Sequence, residues 1–135
     1  MADVLVLFGF FWMVVAAFIG LFLAKRHELT LGDLERIAAK GNLIEYHRVS
    51  EGYKWNKTVH AHAFLFSVVS VVIGLAMPGM KYPVPVIEVL AMVQMLSVVL
   101  WTLGGIRSSR PLMVIGDLSL MASIVATVIG LARAL

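Results

Sequence analysis

The sequence predicts an all-α integral membrane protein: a four-span antiparallel bundle with two short amphipathic helices in its first cytoplasmic loop. Three observations lead there. Of 135 residues, 61% are hydrophobic and 14% charged, against ~25% charged in ordinary soluble domains, and a globule of this size has too much surface for so few charges to cover. The charges are also unevenly placed, since Lys25 to Lys57 holds seven of the eleven basic and five of the eight acidic residues. Finally, four apolar stretches reach the ~20 residues a helix needs to cross ~30 Å of hydrocarbon. One membrane domain fills residues 1–135, with spans at about 4–24, 59–77, 84–106 and 111–134 and an interfacial loop at 25–58.

The first span runs from Val4 to Ala24 and stops at Lys25-Arg26-His27-Glu28. Met-Ala-Asp lacks the basic n-region of a secretory signal, so this run reads as a retained span. In the loop that follows, Thr30 with Asp33 resembles a capping box, Leu31, Leu34 and Ile37 share a face, and Gly41 supplies a stop. Asn42 with Glu45 starts a second short helix, with Leu43, Ile44 and His47 on one face, that ends at Gly52. Both are expected to lie on the inner membrane face, and Tyr53 and Trp55 to anchor the next span at the interface.

The second span begins near Val59 and ends at Met77, where Pro78-Gly79 closes it. The third runs from Val84 to Ile106 and the fourth from Pro111, with Pro85 and Pro111 in first turns that tolerate them. Short connections make neighbouring spans antiparallel. Small residues four apart mark packing faces: Ala16, Gly20 and Ala24 in the first span, Ala63, Ser67, Ser70 and Gly74 in the second, and Ala122, Ala126, Gly130 and Ala134 in the fourth. Nine Lys and Arg flank the first and third spans on one side, with Lys81 and Arg133 alone on the other. By the positive-inside rule both termini are outside and the long loop is cytoplasmic.

Zero cysteines exclude disulfides, thiolate metal sites and covalently attached haem c. Basic residues confined to loops beside apolar spans give no reason to expect a nucleic-acid partner. Soluble-type catalysis has no Walker A, GxGxxG, HExxH or nucleophile elbow to rest on, so a stand-alone enzyme is not expected. No span carries an Arg ladder or a selectivity-filter loop.

The polar residues that need an explanation are few. All four histidines, His27, His47, His60 and His62, fall on the same side of the membrane, and imidazole ligates haem iron or a transition metal and relays protons. Half-polar anchoring at the headgroups is the plainer alternative. His60 and His62 are 200° apart on a regular helix, so His60 joins the small-residue row and points inward, while His62 points toward Phe66, Val69 and Ile73. Asp117 lies about 9 Å past Pro111, beyond the turn where a carboxylate merely complements the helix dipole, and it needs a partner. Gln94, in mid-span, is a candidate for a cross-helix hydrogen bond or a ligand contact. Glu88 suits the first turn of its helix, and Met92, Met95, Met113 and Met121 are conceivable axial haem ligands.

Two functional classes stand side by side. One is a small subunit holding haem b or a transition metal through His60 and a second imidazole, with His62, His47 and His27 as candidates, for electron transfer in or beside a respiratory complex. The other binds no cofactor and is an accessory or assembly subunit whose apolar faces meet the bilayer and other membrane subunits or copies of itself. A proton-coupled transporter subunit using His60 and Asp117 comes third, since 135 residues would have to oligomerise to form a pathway.

Overall fold

A computed structural model describes residues 1–135 and contains four long helices and no strands: α1 (Ala2–Ala39), α2 (Leu43–Ala76), α3 (Val84–Ile106) and α4 (Arg110–Ala132), with one 3₁₀ turn at Met77–Gly79. Each of the four is long and apolar enough to cross a membrane. The bounds of α3 coincide with the span read from the sequence.

The two short loop helices do not exist as separate elements. α1 runs unbroken through Lys25–Glu28 and Thr30, and α2 runs unbroken through Gly52. The Thr30 hydroxyl donates back to Arg26 O at 2.9 Å as an interior helix residue. Charge ends a span because hydrocarbon rejects it, but Lys, Arg and Glu are good helix formers and no proline occurs before Pro78. At 1.5 Å per residue, the 38 residues of α1 reach about 57 Å, so α1 and α2 extend past the ~30 Å hydrocarbon layer as a projecting hairpin. Exposed i,i+3 pairs line it, including Lys54, whose ammonium donates to Glu51 at 2.9 Å and holds that carboxyl below its ordinary range.

The turn at the hairpin's tip follows the sequence reading. Gly41, at φ 68°, occupies the left-handed position, with its N–H donating to Ala38 O and that of Asn42 to Ile37 O. Asn42 then caps α2, accepting from Glu45 N–H at 3.3 Å while its amide donates to the Glu45 carboxylate at 2.9 Å.

The helices pair as two antiparallel hairpins, α1 with α2 and α3 with α4, joined chiefly through α2 and α3. Facing positions on α1 and α2 are Val6 with Gly74, Gly9 with Val71, Gly20 with His60 and His27 with Tyr53. Each pair of numbers adds to 80, so the register holds along the whole hairpin. The Ala63, Ser67, Ser70 and Gly74 row of α2 is buried as read. On α4 the buried row is Gly116, Leu120, Ser123, Thr127 and Gly130; Ala122 and Ala134 are exposed. Both rows are rich in small residues, and Gly116, where α4 meets Trp101 and Ser97 of α3, decides between them.

Two apolar clusters fill the interior. Leu5, Ile73, Met77, Met80, Leu90 and Ala91 form one, at the end away from the projecting hairpin. Val59, Phe66, Val98, Trp101 and Leu120 form the other. Ser67, Ser70, Gln94, Ser97 and Ser123 are buried along the inner helix faces. The four serine hydroxyls donate to carbonyls three or four residues back, which satisfies them without water.

Candidate functional site

The four histidines do not share a site. On α2, His47 lies thirteen residues from His60, about 20 Å along the axis, and is exposed on the projecting hairpin. His27 is exposed on α1, where its Nδ1 shares a hydrogen bond with the Tyr53 hydroxyl and the two rings stack at 5.7 Å. The projecting hairpin spreads along its length residues that the sequence reading gathered in one interfacial loop. No group of three or more His, Asp and Glu residues is placed to hold a metal ion.

His60 and His62 diverge because 200° separates them. His60 turns to α1, where an added Cβ on Gly20 would stand 2.5 Å from its Cε1. The imidazole thus fills the space that glycine leaves, with its Nδ1 buried and without a hydrogen-bond partner. At that level α1 and α2 are in direct contact. His62 turns to α3 and stacks on Trp101, ring centroids 4.8 Å apart and nearly parallel, with Phe66 edge-on at 5.8 Å. Its Nδ1–H donates to Thr58 O at 2.9 Å, because a carbonyl only accepts. Of the methionines weighed as axial ligands, Met95 and Met113 pack against the two apolar clusters and Met92 and Met121 are exposed.

Gln94 is fully buried, and its amide donates to Ser70 Oγ at 3.0 Å, tying α3 to α2; its Oε1 has no partner. On the same side of the interior, Trp12 Nε1–H donates to Thr102 Oγ1 at 3.2 Å and ties α1 to α3.

Asp117 follows Gly116, whose added Cβ would lie 2.8 Å from Trp101 N and Cβ. Trp101 therefore touches both His62 and the Asp117 turn, and the two titratable groups share a layer. They form no ion pair within 4.0 Å, nor does Asp117 pair with Arg110. Its carboxylate is exposed on α4 among Val114, Ile115, Leu118 and Met121, which are exposed too. The partner that the sequence reading required is not supplied by this chain.

One feature escaped that reading. A groove of about 670 Å³ lies between α1 and α2 where they leave the four-helix region, with Ile106 at the end of α3 joining its wall. Phe18, Phe22, Arg26 and Thr30 line it from α1; Gly52, Tyr53 and Asn56 are among those lining it from α2. The signal was present as an i,i+4 row, Phe18-Phe22-Arg26-Thr30, that changes from aromatic to polar along one face. It is visible only if α1 is taken as one helix.

Comparison of the chain with protein-family models, with curated proteins and with solved structures finds no match.

Proposed function

We propose that this chain is a non-catalytic subunit of a larger membrane assembly, docked through the outer face of α4 onto a different polypeptide. The observation that carries the reading is Asp117, a carboxylate exposed inside an apolar helix with no partner of its own. A charge at that depth costs a few kcal/mol at the lenient end of insertion scales, and such residues face protein or a water-filled cavity. A symmetric contact of two copies through this face would bring two Asp117 carboxylates together. Ten of the eleven Lys and Arg lie outside the four spans assigned from the sequence, and Arg133 closes the far end of the fourth, sixteen residues or about 24 Å from Asp117, so a second copy brings no permanent cation to that depth. A partner helix with a basic or hydroxyl-bearing side chain at the level of Asp117 is the better complement. The exposed Leu7, Phe10, Phe11, Val14 and Phe18 of α1 add apolar surface for lipid or a further neighbour.

In this reading the four helices form an antiparallel bundle with both termini outside and the α1–α2 hairpin in the cytoplasm, as the Lys and Arg asymmetry favours. A cysteine in place of Lys40, at the hairpin's tip in a chain without native cysteine, is expected to react with an impermeant maleimide only after the membrane is opened. Labelling from outside intact cells would reverse the orientation.

Haem b or a transition metal held by His60 and His62 is the rival reading. It is less well supported because the two rings face different helices and no other His joins them. The purified protein is expected to be colourless and free of stoichiometric metal. A sharp Soret band with α and β bands on reduction, lost in His62→Ala, would contradict the subunit reading in favour of a cofactor carrier.

A further inference from the structure

We propose that the groove between α1 and α2 is a binding site for one anionic phospholipid, the headgroup at Arg26 and an acyl chain along Phe18, Phe22, Val59 and Ile106. The inference is independent of the subunit reading, since the groove involves neither Asp117 nor α4.

Ile106 is the last helical residue of α3 before Arg107, and Arg26 follows the apolar run of α1 by two residues. One end of the groove therefore lies in hydrocarbon and the other among headgroups. The inner end is wholly apolar, from Phe18 to Leu23 with Val59 and Ile106, while the polar lining residues Arg26, Thr30, Tyr53 and Asn56 are all at the outer end, beside Val49. Its volume is within the ~300–1,000 Å³ of small-molecule sites, room for a headgroup and part of one acyl chain.

Charge decides the class of lipid. Arg26 is the one charged residue in the lining, and no carboxylate lies within 4.0 Å of it. Its guanidinium sits 4.7 Å from the Phe22 ring centroid, so the charge is directed along the groove wall with its N–H donors uncommitted. Lys57, with its ammonium 4.8 Å from the Tyr53 ring centroid, adds a second cation beside the outer end. No acidic side chain lines the site. An added Cβ on Gly52 would meet nothing within 4 Å, so a larger side chain there would fill the space rather than disturb the helices.

Native mass spectrometry of delipidated protein in detergent, titrated with dioleoylphosphatidylglycerol or dioleoylphosphatidylcholine, tests this. The wild type is expected to take up one phosphatidylglycerol with about a fivefold to thirtyfold preference over phosphatidylcholine, the scale of one to two basic side chains at an anionic headgroup. Arg26→Gln should cut that preference by about fivefold, and Arg26→Lys should keep it. Gly52→Phe should reduce uptake of both. Equal uptake of the two lipids by the wild type, or undiminished phosphatidylglycerol uptake in Gly52→Phe, would overturn the proposal. Should Gly52→Phe not fold, the two Arg26 variants, altered only at an exposed side chain, still decide the outcome.

Discussion

Asp117→Leu is expected to make the isolated chain more stable and to release it from its assembly. Within the chain the carboxylate has no salt-bridge partner, and its neighbours on the exposed face of α4 are Val114, Ile115, Leu118 and Met121. Removing it therefore breaks nothing in the chain, while leucine relieves a cost of ~2.5–3.5 kcal/mol at a helix centre, and less at this depth. In the assembly the sign reverses. Deleting one member of a buried charged pair costs ~3–5 kcal/mol, which at tenfold per ~1.4 kcal/mol is a loss of about a hundredfold or more in affinity. Asp117→Asn keeps a hydrogen-bonding group and is expected to lie between the two. The checks are the melting temperature of the purified chain in detergent and the amount of partner that accompanies it. A leucine variant that melts lower than the wild type would instead give Asp117 a role inside the chain.

Gly116→Ala is expected to cost the fold about 1–3 kcal/mol, and Gly116→Leu more. An added Cβ would stand 2.8 Å from both Trp101 N and Trp101 Cβ and 3.0 Å from Ser97 O. Backbone atoms cannot rotate away, so α3 and α4 must separate. In lipid, helix association rests on close packing rather than on the hydrophobic effect, which makes that separation hard to offset. Gly32 is the internal control, because its added Cβ meets nothing within 4 Å. Gly32→Ala should stabilise by ~0.5–1 kcal/mol through backbone entropy alone. Helicity followed through a titration with a denaturing detergent measures both. A Gly116→Ala variant as stable as the wild type would contradict the α3–α4 contact described here.

What the sequence disclosed follows from which physical signals are local. Apolar length located all four spans, and the turn chemistry of Gly41 and Asn42 located the hairpin tip, because each depends on a few consecutive residues. The loop helices were misread because Lys25–Glu28 marks the edge of hydrocarbon, and a helix passes such an edge without interruption. The packing row on α4 could not be chosen from composition, since Ala122 and Ala126 are as small as Ser123 and Thr127. Only the position of Trp101 on a different helix separates the two. Geometry on one helix did carry over: the 200° between His60 and His62 became one ring on Gly20 and one on Trp101. The distance from His47 to His60, and the groove at Arg26, depended on knowing that α1 and α2 continue beyond the bilayer.

The reading of this chain as a subunit bound through α4 is tested most directly by the mass of the intact particle released from its own membrane in a mild detergent. The expected particle holds one 14.8 kDa chain bound to at least one different polypeptide, and a lone chain remains when Asp117 is replaced by leucine. A wild-type particle of 14.8 kDa, or of a whole multiple of it, would contradict docking onto a different polypeptide.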